Sequence, residues 1–313
     1  SAVCWTDAIQ GGIMFFALMA IPFMALYEMG GIGEVSSRLS ELTPESLGFF
    51  PIKNGAIDSM LLASGLGWGL GYFGQPHILT RFMAIQSPDM IRKSRIIAMV
   101  WVIITLTAAV SIGVIGKAYM PDLIDGETIY MAMIDAMFPD IIAGVLLTAI
   151  LAAIMSTASS QLLVTASSVS RDLYALLFKK STEGTAIVWV SRVTVLVVSL
   201  IAIVIALDAN SSVFGLVACA WGGFGAAFGP LLLFSLFWKR ITLQGAVAGM
   251  ITGGLVDLFW YSMKSHGGVF SVYEIIPGFI ASAAVIVIVS LCTRLPQEIA
   301  DEFEESKKPW SQK

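Results

Sequence analysis

Charge is what this sequence has least of. Only 13% of its 313 residues are Asp, Glu, Lys or Arg, while 57% are hydrophobic. A soluble domain of that composition has too little polar surface to show water, so that class is excluded. Basic clusters are missing too, and the net charge of -4 argues against a nucleic-acid partner. Cysteine is scarce: Cys4, Cys219 and Cys292 lie far apart, the last two inside apolar runs. They form neither a disulfide framework nor a metal-ligand spacing.

What is present is a series of long stretches free of Asp, Glu, Lys and Arg. They cover 8–27, 59–80, 96–116, 141–170, 193–207, 209–238, 241–256 and 275–293. Most approach or exceed the ~20 residues needed to cross a hydrocarbon core of roughly 30 Å. Thr185 to Ser191 extend the fifth past Arg192, and Asp257 to Tyr261 extend the seventh. The pattern predicts an all-α integral membrane protein with eight transmembrane helices in a single domain over residues 1–313. Lys and Arg alternate between the connections. The connections after spans two, four and six, with the C-terminal tail, hold 14 of the 18 basic residues, among them Arg81, Arg171, Lys179, Lys180, Arg240, Lys308 and Lys313. Arg38, Lys53, Lys117 and Lys264 make up the other side. Positive charge marks the cytoplasmic loops, so both termini are expected in the cytoplasm. The chain opens on Ser1-Ala2-Val3 and enters a span almost at once, which suggests a fragment of a longer protein.

The spans differ in kind. Span two packs Gly65, Gly67, Gly69, Gly71 and Gly74 into ten residues and follows them with Pro76. Each Gly costs a helix roughly 1 kcal/mol relative to Ala, and Pro removes a donor. A kinked or interrupted span is expected, and broken backbone in a bilayer must face protein or a watery cavity. Span four crowds hydroxyls into its second half: Ser156, Thr157, Ser159, Ser160, Thr165, Ser167, Ser168 and Ser170. Span six is rich in small residues and reads as buried in the bundle. Span three reads as lipid-facing, and spans seven and eight as ordinary peripheral helices. Ser36 to Leu42, in an outward loop that also carries Glu34, Glu41 and Glu45, reads as a surface helix. The charged tail beyond Pro296 reads as flexible.

Ala153, Ser156 and Thr157 stand at i, i+3, i+4 and share a helical face. A backbone carbonyl and two hydroxyls make half of a neutral oxygen cage suited to a small alkali cation. The competing account has these hydroxyls bonding back to the helix backbone or joining helices. Trp68, Tyr72 and Pro76 repeat at i, i+4, i+8 on the interrupted span. Their rings could close over a compact organic solute, or they could be core packing beside a proline kink. Asp7, with Thr6, reads as the N-cap of span one. Asp257 falls near the outer interface, where snorkelling accounts for it. His77 and His266 lie on opposite sides by this topology, and no carboxylate pair, metal-ligand cluster or nucleophile–base set falls at one depth. The chain is therefore not expected to be an enzyme.

At several of these positions the sequence resembles the sodium:solute symporter family, and within it the proline-transporting branch. The run Gly67-Trp68-Gly69-Leu70-Gly71-Tyr72-Phe73-Gly74-Gln75-Pro76-His77 carries the likeness, as do Ala153-Ile154-Met155-Ser156-Thr157, Ala220-Trp221, Gly223 to Pro230, and Tyr273-Glu274-Ile275-Ile276-Pro277-Gly278-Phe279. Ser160 departs from the cysteine expected in the nearest members. The resemblance implies a partial LeuT-like inverted-repeat fold. In it 8–28 is the last helix of the first repeat, 59–238 the whole second repeat, 241–295 two accessory helices and 296–313 a cytoplasmic tail. The earlier helices of the same parent protein are then missing. It also implies sodium on the Ala153 carbonyl and the Ser156 and Thr157 hydroxyls, with proline near Trp68, Tyr72 and Pro76. The implied activity is sodium-coupled symport of L-proline across the cell (inner or plasma) membrane. Another small solute such as pantothenate or a different amino acid, or a symporter-like sensor domain, is the alternative.

Overall fold

The structure is a computed structural model that describes residues 2–42, 50–53, 55–178, 185–207 and 212–307. Glu45, Lys179, Lys180, Lys308 and Lys313, named above, lie outside the described residues. The elements are almost all helical: α1 (Ala2–Glu28), α2 (Ile32–Leu42), a two-stranded hairpin β1 (Ile52–Lys53) and β2 (Ala56–Ile57), α3 (Ser59–Gly71), α4 (Pro76–Met83), α5 (Pro88–Tyr119), α6 (Ile129–Met137), α7 (Asp140–Ser167), α8 (Ala175–Phe178), α9 (Thr185–Ala206), α10 (Val213–Phe237), α11 (Leu243–Met263), α12 (Ile275–Cys292) and α13 (Gln297–Ser306). Among the described residues, seven helices are long and apolar enough to cross a membrane. The eighth predicted crossing is α3 followed by α4, as its glycines and proline require. At about 1.5 Å per residue, the 13-residue α3 is about 20 Å long, short of the roughly 30 Å hydrocarbon core. Gln75 is extended (φ -80, ψ 115), and Pro76 opens α4 at a position where its missing N–H costs nothing.

Two compact units contain these elements: 1–47 with 92–209, and 48–91 with 210–313. In the first, α1 packs along α7, and Ile21 and Ala25 of α1, with Met29 just beyond its end, share a buried cluster with Ile112 and Ile115 of α5. Positive φ at Gly30 and Gly31 turns the chain out of α1, a conformation that favours glycine. Helix α2 then buries Val35 and Leu39, one turn apart, so the expected surface helix starts four residues earlier and is half-embedded. The acidic connection 117–140 holds a helix that composition alone did not announce: α6 seats Met133 and Ile134 fully in this core. Helix α1 begins at Ala2, so Asp7 lies inside the helix. The expectation that it caps the span is corrected.

In the second unit, small residues set the packing. Gly67, Gly71 and Gly74 form one stripe at i, i+4, i+7, and each faces a neighbour. A Cβ on Gly67 would press into Ile276 at 2.8 Å, one on Gly71 into Trp221, and one on Gly74 into the backbone at Phe224 and Gly225. Gly65 and Gly69, on the other side, face open space. Helix α10 answers with Gly225, whose added Cβ would lie 2.7 Å from Gly71 Cα. Gly245, Gly249 and Gly253 of α11 lie against Ser290, Ile286 and Ser282 of α12 in the same manner. Helices α11 and α12 thus pack closely along each other, and both line α10. Helix α10 is 39% buried over its apolar window and α9 only 6%, so the small-residue helix is the interior one.

Two further details lock this unit. Buried Thr242 caps α11: its Oγ1 accepts from Gly245 N at 3.2 Å, and Ser290 Oγ accepts from Thr242 N at 3.2 Å. Thr242→Val should cost about 1–2 kcal/mol through the lost cap and an orphaned donor. A thermal melt in detergent should show this as a lowered midpoint, and an unchanged midpoint would refute it. The tail, expected to be flexible, holds a helix that the sequence reading did not include. Residues 297–306 are helical, with Phe303 buried, and Lys239 Nζ donates to Glu304 Oε1 at 2.7 Å. That contact holds the Glu304 carboxyl below the usual carboxylate range. The pair is exposed, so it should loosen with added salt.

Candidate functional site

The hydroxyl-rich helix and the aromatic segment belong to different units, and each is described by itself. On α7, Ala153, Ser156 and Thr157 occupy one face as their spacing requires. Ser156 Oγ donates to the Ala153 carbonyl at 3.0 Å, so two of the three oxygen atoms are already neighbours. Thr157 is exposed. Backbone bonding accounts for other hydroxyls of the crowd. Ser159 donates to Ser156 O at 3.2 Å, Thr165 to Gln161 O at 2.9 Å, and Ser170 to Ala166 O at 2.7 Å. Ser170 also accepts from Ser191 of α9 at 2.8 Å. Beyond Ser167 the helix widens into a π-helical stretch, Ser168–Tyr174. Such widenings are rare and often accompany functional sites.

The donor set fits a monovalent alkali cation. All three oxygens are neutral, and among the described residues no group of three or more His, Cys, Asp or Glu side chains could hold a metal. A divalent or transition metal demands charged or imidazole ligands.

In the second unit the centre of the aromatic cluster is a residue that was not singled out as a site residue, Trp221 of α10. Its Nε1 donates to the Trp68 carbonyl at 3.0 Å, and the Trp221 carbonyl accepts from Gln75 Nε2 at 3.3 Å. Trp68 stacks on it with ring centroids 5.5 Å apart, and Tyr72 meets it edge-on at 4.9 Å. Trp68 also lies parallel to Tyr273 at 5.9 Å and Phe214 at 5.7 Å. Trp68 and Tyr72 are thus brought together through Trp221, while Pro76 stands at the head of α4 beyond the break. At the break the Trp68 carbonyl accepts from the Trp221 indole, the Gln75 carbonyl accepts from Ile78 N and Leu79 N at 3.1 Å, and the buried Gln75 side-chain amide reaches across to the Trp221 carbonyl. A Trp set directly against glycines, in Ala220-Trp221-Gly222-Gly223, was the available signal for Trp221, because a large ring among small residues must fill space left by a neighbouring helix.

Trp68 lines a cavity of about 600 Å³ with Ser64, Phe214, Ala218, Lys264 and Tyr273. That size lies within the roughly 300–1,000 Å³ common for small-molecule sites. Tyr72 lines a separate apolar cavity of about 640 Å³ with Phe73, Phe82 and Leu232. Tyr273 fixes one wall: its hydroxyl donates to Ala218 O at 2.7 Å, and its backbone N donates to Ser64 Oγ at 3.0 Å. Burial, then the nearby carboxyls of Glu274 and Asp257, raise the Tyr273 phenol far above its usual value, so it stays neutral and a donor.

Two expectations about charged side chains are corrected here. Asp257 does not snorkel; it is 0% exposed, and Glu274 is 0% exposed beside it. Nor is a carboxylate pair absent. A Cβ on Gly222 would lie 2.9 Å from Asp257 Oδ1 and 3.4 Å from Glu274 Cγ. Counting depth along one helix cannot reveal this, because the meeting depends on how α10, α11 and the start of α12 converge.

Comparison with known proteins bears on all of these features. The sequence model of the sodium:solute symporter family matches residues 1–253. The high-affinity proline transporter PutP of Bacillus subtilis is 44% identical over 99% of this chain. The sodium/proline symporters of Salmonella typhimurium and Escherichia coli are 44% and 43% identical over 96% and 94% of it. The chain spans 59% to 65% of the length of these relatives. Among solved structures, a Na⁺-coupled sialic acid symporter in a substrate-bound, outward-open state superposes with a TM-score of 0.70 at 23% identity. That match covers 93% of this chain and 62% of the other, and it shows the fold: part of the LeuT-like architecture.

Proposed function

Given that the chain belongs to the sodium:solute symporter family, we propose that it is the C-terminal part of a symporter that carries Na⁺ and L-proline together into the cell. The observation that carries this reading is its 43% to 44% identity, over 94% to 99% of the chain, to transporters named for proline. Transport is also what the family and these relatives are named for. The Ala153 carbonyl and the Ser156 and Thr157 hydroxyls supply sodium with three of its oxygen ligands. Trp68, Tyr72 and Pro76 face the proline, with Trp221 holding the first two in place. Helix α1 then ends the first inverted repeat, α3 to α10 make the second, and α11 and α12 are accessory. Helices preceding this chain complete both sites. Both termini of the chain face the cytoplasm, as the distribution of Lys and Arg argues.

Coupling follows from differential affinity. Sodium that binds the outward, substrate-ready state more tightly than the inward state shifts the population toward it. Each Na⁺ that crosses adds roughly 2.3 kcal/mol per 100 mV of membrane potential. Neutral oxygens favour Na⁺ over a proton at this position, since none of them titrates near neutral pH.

The test is uptake of labelled proline by the whole protein in reconstituted vesicles, with an inward Na⁺ gradient or with choline in its place. Accumulation above the external concentration should require Na⁺, and excess unlabelled proline should compete better than pantothenate or other amino acids. Equal uptake in choline would refute sodium coupling. Stronger competition by another solute would reassign the substrate, and uptake that only equilibrates would indicate a passive channel.

A further inference from the structure

Asp257 and Glu274 play no part in the sites described so far, yet they are wholly buried in the bundle of α10, α11 and α12. Both Asp257 oxygens and Glu274 Oε1 have no hydrogen-bond partner. The remaining oxygen, Glu274 Oε2, accepts from Lys264 Nζ at 3.3 Å. Glycines surround Asp257: a Cβ at Gly222 would lie 2.9 Å from Oδ1, one at Gly223 3.6 Å from Oδ2, and one at Gly278 3.3 Å from the Asp257 Cβ. The space around this carboxyl is therefore held open by residues without side chains. No hydrogen-bond donor reaches these three oxygens in return.

The charged and titratable groups facing the pair are few. Helix α10 presents Cys219, the short helical turn after α11 presents Lys264, and Tyr273 adjoins Glu274. The Tyr273 hydroxyl is committed to Ala218 O, which leaves Lys264 as the one cation among these groups. Two ionised carboxylates against one ammonium would leave an uncompensated negative charge inside a membrane protein, at a cost of several kcal/mol. Like-charged carboxyls in one site do not both ionise freely; one takes up a proton.

We propose that Asp257 and Glu274 form a proton-binding site, in which the two carboxyl groups hold one exchangeable proton between them and Lys264 balances the remaining charge. A proton suits the site better than a metal cation. Hard cations shed their water only for a fuller shell of oxygens, and here only three unpartnered carboxyl oxygens are on offer, with glycines against both Asp257 oxygens. Exchange with water has a route, since Lys264 is 48% exposed and lines the cavity that also holds Trp68.

Infrared difference spectroscopy of the whole protein in lipid nanodiscs, titrated from about pH 5 to about pH 9 around the carboxylate and neutral ranges, tests this directly. The wild type should show the carbonyl band of a protonated carboxyl group that disappears as pH rises. In Asp257→Asn that component should be lost, because Glu274 then stays ionised against Lys264. In Lys264→Met the band should persist to higher pH, its midpoint raised by roughly 1–3 units through the lost positive charge. A band unchanged in Asp257→Asn, or no titrating band at all, overturns the proposal. A band erased by Na⁺ at constant pH but not by choline overturns it in favour of a cation site. If Asp257→Asn does not fold, the Lys264→Met midpoint decides alone, because that side chain is half-exposed and its loss leaves the packing intact. None of these readings depends on transport, so they stand apart from the assignment of substrate.

Discussion

In the whole protein, Ser156→Ala combined with Thr157→Ala is expected to raise the Na⁺ concentration for half-maximal proline uptake by about tenfold to more than a hundredfold. The magnitude follows from the charge on the ion. A contact between a neutral oxygen and a charged group is worth about 1.5–3 kcal/mol, and about 1.4 kcal/mol is a factor of ten in affinity. The Ser156 hydroxyl already lies 3.0 Å from the Ala153 carbonyl, so Ser156→Ala removes one of two adjacent oxygens and leaves the helix backbone intact. Thr165→Val supplies the control. Its hydroxyl is on the same helix but donates to Gln161 O, and its loss should leave Na⁺ dependence near the wild-type value. Ser156→Thr should restore part of the response, since it keeps the oxygen. A double variant with unaltered Na⁺ dependence would show that the ion binds elsewhere.

Gly71→Ala should have an effect of similar size by a different cause. An added Cβ would run into the Trp221 indole, on the edge that donates to the Trp68 carbonyl. The ring cannot move away cheaply, because Trp68 stacks on it and Tyr72 meets its edge. Overpacking of a filled interior costs about 1–3 kcal/mol, and the lost indole hydrogen bond in a buried site adds about 1–3 kcal/mol more. We expect a lowered thermal midpoint together with at least tenfold weaker proline binding, read by scintillation proximity or calorimetry on the whole protein. Gly69→Ala, two residues away, meets nothing within 4 Å and gains helix propensity, so it should be neutral or slightly stabilising. Equal behaviour of the two variants would show that the stripe at Gly67, Gly71 and Gly74 does not set the packing of α3. Trp68→Ala separates the readouts further. It removes a cavity wall and three ring contacts, and it should weaken proline binding with the Na⁺ response retained.

Much of the architecture could be read from the chain because membrane insertion is a local test. A stretch of twenty uncharged residues is apolar wherever it ends up, so the spans from α1 to α12 were visible. The break between α3 and α4 was equally visible, because glycine and proline act on their own backbone. The five glycines around it could not be ranked in the same way. Gly67, Gly71 and Gly74 receive other groups and Gly65 and Gly69 do not, a difference set by which side of α3 meets α10 and α12. Helix α6 and the helical part of the tail were missed for a related reason. Each is short, and becomes stable only when Met133 and Ile134, or Phe303, find a core to enter.

Sequence alone was sufficient for membrane residence, the order of the crossings, the interrupted second segment and the family. Each depends on the solubility or backbone preference of a contiguous stretch. Tertiary structure alone decided that Trp221 joins Trp68 to Tyr72, and that Asp257 faces Glu274 in the interior instead of reaching for the interface. Those outcomes depend on small residues letting helices approach until distant side chains share one dry space. No stretch read by itself contains that distance.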